Sequence, residues 1–202
     1  MSAIILRGGV EIENPLELAL EFLAAYSSYE AYDSSSPVSF DESDLRLANR
    51  GGARISAAEI AAILDRRREI ERALREVHPD ASLADAVRLI PWIQLTHLFD
   101  AFADIRGVGF SKMTKALYRK RPALIPMLDS VVQTYLTRDD PGTRSPGAFG
   151  ERATTLVRSY KRDLDRNRSV LPELQQALAS RTYRLTEVRI LDLLIWSFSA
   201  AT

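Results

Sequence analysis

The stretch from residue 105 to residue 132 combines residue types that can bind an anion with a carboxylate that can take part in catalysis. It contains Gly107-Val108-Gly109, a basic segment, and Asp129 twenty residues after the second glycine. Two glycines can adopt backbone angles that a side chain disfavours, and the valine between them can fill the space between flanking helices. The free N–H groups of such a turn, with the start of the next helix, form a positive concavity suited to a phosphate.

The segment after this turn carries the one sizeable run of positive charge in the chain. Lys112 and Lys115 are followed by Arg119, Lys120 and Arg121, with no acidic residue between them. Lys112 and Lys115 lie within about one turn of the proposed phosphate site, so we expect them to contact phosphates. For residues 119–121 two interpretations stay open: phosphate contact, or a solvated helix end whose cations complement the helix dipole.

This pattern resembles the helix-hairpin-helix motif of DNA-repair proteins, and most closely the base-excision DNA glycosylase superfamily. Members of that superfamily carry a catalytic aspartate about twenty residues beyond the last glycine, which is the place of Asp129. The chain is also similar to an uncharacterised bacterial family with a KRP-x-LIP-x-x-DSVV core. The glycosylase resemblance implies a DNA partner and the contact residues Gly107, Val108, Gly109, Ser111, Lys112 and Lys115.

The same resemblance implies a monofunctional enzyme, if the chain is an enzyme. Bifunctional glycosylases place a Schiff-base lysine where this chain has Ser111, and Lys112 is displaced by one residue. One residue turns a side chain by about 100 degrees around a helix, so lyase chemistry is not expected. Asp129 also has a purely structural interpretation, because aspartate is a favoured N-cap and a helix follows it. The two roles are compatible.

The flanking patterns predict an all-α fold of about nine helices in a single domain over residues 1–202. The helix-hairpin-helix core covers about 92–136, and a flexible loop with two prolines covers 138–150. One long helix is expected over 57–77, starting at a capping box. Residues 3–13 form either a short β-hairpin or an extended arm. The last helix is so apolar that it must be buried at the centre or in a homodimer interface.

The composition limits which metal, cofactor and DNA-binding sites are expected. The chain has no cysteine and two histidines, so no thiolate zinc site, iron–sulfur cluster or histidine-rich metal site is expected, and no cofactor is implied. Its 27 basic and 27 acidic residues mean that DNA binding requires one locally basic face. The sequence shows no signal peptide and no membrane-spanning run, so we expect a cytoplasmic protein.

Three functions follow from these patterns. The leading hypothesis is a helix-hairpin-helix DNA-binding protein with a glycosylase-like core. The second is an active monofunctional DNA glycosylase that uses Asp129. The third is a protein–protein interaction module without nucleic-acid binding, since such hairpins also serve as packing elements and the net charge is zero.

Overall fold

The structure is a computed structural model that describes residues 2–30, 36–138, 140, 142 and 146–201, with the backbone alone for 27–30, 200 and 201. The predicted all-α class is confirmed, with ten α-helices in the described part of the chain. They are α1 (Pro15–Glu30), α2 (Glu42–Arg50), α3 (Ala57–Asp65), α4 (Arg67–Glu76), α5 (Trp92–Asp100), α6 (Phe110–Leu117), α7 (Ser130–Arg138), α8 (Phe149–Arg166), α9 (Leu171–Ala179) and α10 (Glu187–Ala201).

The N-terminal segment forms the short β-hairpin. Strands β1 (Ile4–Ile5) and β2 (Glu11–Ile12) are antiparallel, with Ile4 opposite Ile12. Gly8 and Gly9 connect them at φ values of 72° and 74°, in the left-handed region that favours glycine. The hairpin lies on the helices, because the Ile5 N–H donates to Asn167 Oδ1 at 2.7 Å. It therefore gains from tertiary contact the stability that an isolated hairpin lacks.

Helix α10 lies at the centre of the fold. It packs against α1, α7, α8 and α9, and its residues from Ile190 to Ile195 are almost fully buried. The apolar surface that the sequence predicts to be covered is thus covered by other helices of the same chain. This position also brings the polar residues of α10 next to α1 and to the segment before α7, where the candidate site forms.

Helices α5 and α8 approach each other closely at Gly150. The Gly150 N–H donates to Asp100 Oδ1 at 2.6 Å, and a Cβ added at this position would lie 2.4 Å from the Thr96 carbonyl oxygen. Only glycine fits such a contact, and it fixes the first helix of the hairpin motif against α8. Five residues of the predicted loop over 138–150, namely 139, 141 and 143–145, lie outside the described residues.

One predicted helix is divided. The expected continuous helix over 57–77 is two helices, α3 and α4, separated at Arg66, whose φ and ψ are −93° and 8°. The Arg66 N–H donates to the Ile63 carbonyl at 3.0 Å, a tighter turn than an α-helix has, so the regular α-helical hydrogen bonding is interrupted there. The apolar spacing continues through the break, and for that reason the sequence pattern did not reveal it.

Candidate functional site

The glycine-bounded turn between α5 and α6 has the predicted left-handed backbone angle at Gly107 but not at Gly109. Gly107 has a φ of 84°, and Val108 is buried between the helices with its N–H donating to the Ile105 carbonyl at 3.0 Å. Gly109 is the N-cap of α6 in an ordinary extended conformation, and a Cβ added there would meet no atom within 4 Å. Gly107 alone requires glycine on conformational grounds, while Gly109 leaves the start of α6 open.

A carboxylate of the chain itself approaches this turn. A Cβ on Gly107 would lie 2.2 Å from Glu59 Oε1, and Lys112 Nζ donates to both Glu59 carboxylate oxygens at 2.6 and 2.7 Å. The Lys112 hydrogen bond holds the pKa of Glu59 below its usual value. Lys112, expected to contact phosphate, is therefore engaged by an internal anion. Glu59 also completes the predicted capping box of α3 with Ser56, which hides its second role from the sequence.

Neither open interpretation of the basic run describes Lys120 and Arg121, because both side chains are buried. Lys120 Nζ lies 2.7 Å from Asp44 Oδ1 in a buried ion pair. The Arg121 guanidinium donates to backbone carbonyls, including those of Val77 at 2.6 Å and Pro37 at 2.8 Å. These cations bind the chain to itself, so they supply neither a phosphate contact nor a solvated helix end.

Lys115 and Asp129, two of the predicted site residues, instead meet in a cavity of about 390 Å³ that we call the Asp129 pocket. It lies between α1, α6, α10 and the loop from α2 to α3. Its aromatic lining residues are Phe22, Tyr26 and Trp196; its charged ones are Arg50, Arg54, Lys115, Asp129, Arg189 and Asp192; the others are Gly51, Gly52, Met127 and Val132. Gly107, Gly109, Ser111 and Lys112 do not line it.

One wall of the pocket is aromatic. The ring centroids of Phe22 and Tyr26 are 4.8 Å apart, and Trp196 meets them edge-on at 5.5 and 5.8 Å. Tyr26 is about half exposed, so the aromatic surface reaches the outside of the pocket. Such a wall can stack a planar ring by dispersion and electrostatic attraction.

The second wall is cationic. Lys115 Nζ lies 4.0 Å from Asp129 Oδ2 and 3.9 Å from the position of a Cβ on Gly52. Burial lowers the pKa of Lys115, although Asp129 acts in the opposite direction. Arg54 is exposed at the mouth, with a φ of 55° that holds it in the left-handed region. An anionic ligand placed here would offset the cost of burying the Lys115 ammonium group.

Asp129 is the N-cap that the sequence predicts, and its side chain also lies in the lining of the pocket. Its Oδ1 accepts a hydrogen bond from the Val132 N–H at 3.0 Å, so it is the N-cap of α7. Its Oδ2 faces Lys115, and the side chain is 17% exposed within the pocket lining. The buried connector of Leu124, Ile125, Met127 and Leu128 fixes the position of this carboxylate.

Asp192 marks the deep end of the pocket, with 2% of its surface exposed. Its Oδ2 accepts from the Met127 N–H at 3.0 Å, while its Oδ1 has no hydrogen-bond partner among the residues that the structure describes. Burial raises the pKa of Asp192 to about 7, against the opposing effect of the Arg189 charge. Sequence reasoning missed Arg189 and Asp192, although a charged pair three residues apart in an otherwise apolar helix is a detectable signal.

A second cavity, of about 290 Å³, lies between the β-hairpin and α7. Two arginines, Arg7 and Arg138, line it. Arg7 is already paired with Asp163 at 2.7 Å, and the Arg7 N–H donates to the Tyr135 hydroxyl at 3.0 Å. Because Arg7 is already engaged by the chain, we favour the Asp129 pocket as the ligand site. In the described part of the chain no cluster of three or more potential metal ligands occurs, and no helix there could cross a membrane.

Comparison with known proteins shows which family the chain belongs to. No curated protein and no solved structure matches this chain. The sequence model of a family of unknown function, DUF6308, matches residues 20–199, a range that includes α2 to α9 and every residue lining the Asp129 pocket. This chain therefore belongs to the DUF6308 family.

Proposed function

We propose that this chain binds DNA, with the GVG turn and the start of α6 facing a strand and the Asp129 pocket receiving one nucleotide of it. The observation that carries the proposal is the lining of the pocket, which combines three aromatic rings with the cationic side chains of Arg54, Lys115 and Arg189. A nucleotide has the complementary parts, a planar base and a phosphate. Stacking on aromatic side chains and phosphate contact with cations are the two standard ways of holding an unpaired nucleotide.

Helix α6 connects the two parts of the proposed interface. Gly109 begins the helix and leaves its first N–H groups open, while Lys115 lies in its second turn and lines the pocket. Because Lys112 is bound to Glu59, phosphate contact at the turn would depend on these N–H groups, or would displace Glu59 from the lysine. A nucleotide entering the pocket would then belong to the strand held at the turn.

The two tryptophans of the chain provide a matched test. We expect Trp196→Leu to weaken binding to a duplex with one unpaired nucleotide by roughly tenfold, the range measured for loss of one base–aromatic stack. Trp92→Leu should leave binding unchanged, because Trp92 stacks under Arg158 at 4.2 Å outside the pocket. Fluorescence anisotropy with labelled duplexes at low salt measures both, and wild-type affinity should fall as salt is raised.

Binding that is absent at low salt would exclude this function. Equal losses in the Trp92 and Trp196 variants would show that the pocket takes no nucleotide. A complex with another protein that persists at high salt, without affinity for DNA, would instead favour an interaction module.

An alternative function is monofunctional base excision, and the position of Asp129 within the pocket favours it. As the bond between base and sugar breaks, the base leaves with the electron pair and positive charge develops on the sugar. A carboxylate beside that sugar stabilises the charge, and addition of water then gives a free base and an abasic site. Asp129 is the proposed carboxylate, with Lys115 next to it.

Release of free base from duplexes with modified bases tests this alternative. We expect Asp129→Asn to abolish release while DNA binding and folding are kept, because asparagine also serves as an N-cap for α7. A broad panel of modified duplexes that yields no free base from the wild-type chain would leave binding as the function and Asp129 as a cap.

A further inference from the structure

The deep wall of the Asp129 pocket places a hydrogen-bond donor beside an acceptor. Arg189 and Asp192 are three residues apart on α10, so they share one face of the helix. Both are almost fully buried, with 6% and 2% of their surfaces exposed. The Arg189 guanidinium is placed by aromatic contacts, with its central carbon 5.7 Å from the Phe22 ring centroid and 5.8 Å from that of Tyr118.

The acceptor of this pair, Asp192, has one carboxylate oxygen without a hydrogen bond from the described residues when no ligand is bound. The Met127 N–H donates to Asp192 Oδ2, and the Tyr160 hydroxyl, which donates to the Val188 carbonyl, lies near the same carboxylate. Oδ1 itself has no hydrogen-bond partner in the described part of the protein. A buried polar atom without a hydrogen bond is unfavourable and uncommon, so each one needs an explanation, and a ligand that donates to it is one. A ligand N–H group at the deep end of the pocket would donate the missing hydrogen bond to Oδ1.

We infer that the Asp129 pocket selects a base that carries an amino group beside a ring nitrogen, as adenine and cytosine do. The amino group donates to Asp192 Oδ1, and the ring nitrogen accepts from Arg189. The ring lies on the aromatic wall, and the phosphate lies towards Arg54 and Lys115. The inference rests on the proposed function only in taking the ligand to be a nucleotide. It holds whether that nucleotide is free or part of a DNA strand.

The same arrangement rejects bases with the opposite edge. Hypoxanthine and uracil have a carbonyl oxygen where adenine and cytosine have the amino group, and an N–H where the latter have a ring acceptor. Their carbonyl oxygen would face the Asp192 oxygen, and their N–H would face the donors of Arg189. One contact then sets two acceptors against each other, and the other sets two donors against each other. Such contacts cost more than the loss of a hydrogen bond alone.

Two pairs of free mononucleotides test the inference on the full-length chain. Adenosine and inosine monophosphates differ only at this edge, as do cytidine and uridine monophosphates, and all four present the same phosphate to the cationic wall. By isothermal titration calorimetry at pH 8, we expect the amino-bearing member of each pair to bind about tenfold more tightly, as is typical for a two-contact reading of a base edge.

The variant Asp192→Asn should reduce this preference to about twofold or less, because an amide can present either a donor or an acceptor. The control Asp165→Asn removes a partly exposed carboxylate paired with Lys161, outside the pocket, and should keep the full preference. Equal binding within each pair, a preference for inosine or uridine monophosphate, or a preference that survives in Asp192→Asn would each overturn the inference.

The outcomes separate this inference from the proposed function. If no mononucleotide binds but the chain still binds DNA in a Trp196-dependent manner, the edge selection is wrong and the proposed function stands. If the mononucleotides bind with the expected preference and DNA does not bind, the pocket is a site for free nucleotides and the proposed function is wrong.

Discussion

Replacing Arg121 by methionine is expected to lower the free energy of unfolding by about 3–5 kcal/mol. The Arg121 side chain is fully buried and donates to the carbonyls of Leu74, Val77, Pro37 and Lys120. Leu74 and Val77 are at the C-terminal end of α4, where backbone carbonyls lack partners within the helix. Methionine fills a similar volume but removes all of these donors, and the Leu74 carbonyl keeps only the Val77 N–H at 3.3 Å.

Urea denaturation followed by circular dichroism measures this loss. Arg121→Lys should lose nearly as much, because an ammonium group cannot reach several carbonyls that a planar guanidinium reaches. Arg138→Met, at an exposed position, is the control and should change stability by less than about 0.5 kcal/mol. If Arg121→Met lowers the free energy of unfolding by less than about 1 kcal/mol, the structural role given to this guanidinium is contradicted.

The second large effect is a dependence of stability on pH that belongs to Asp192. Its pKa is raised by burial from 3.8 to about 7 in the folded chain. Between these values the folded state keeps the proton that the unfolded state has released, so the contribution of Asp192 to stability falls as pH rises. Each unit of pKa difference corresponds to about 1.4 kcal/mol, so the full effect is on the order of 4 kcal/mol.

Asp192→Asn isolates this contribution, because asparagine resembles the neutral acid at every pH. We expect the variant and the wild type to be equally stable near pH 4, and the variant to become the more stable one as pH rises towards 8. Carboxylates with a lowered pKa, such as Glu59, act in the opposite direction and cancel in the difference. Denaturant midpoints over this pH range provide the measurement, and a constant difference would show that Asp192 does not titrate as described.

Much of the fold could be predicted because it depends on neighbours in the sequence. Helical periodicity, the Ser56–Glu59 capping box, the Gly8-Gly9 turn and the burial of the connector before Asp129 are each encoded within a few residues. The candidate site could be predicted in part for the same reason. Gly107 and Gly109 shape a local turn, and Asp129 caps the helix that begins one residue later.

The tertiary structure alone decided which partners these residues meet. Lys112 and Lys115 looked equivalent in the sequence, yet one pairs with Glu59, 53 residues away, and the other enters a pocket with Asp129. Lys120 and Arg121 looked exposed and are buried. The walls of the pocket come from α1, the loop before α3 and α10, which no local pattern relates. Spacing along a chain fixes the face of a helix, whereas the neighbour of that face depends on how distant helices pack.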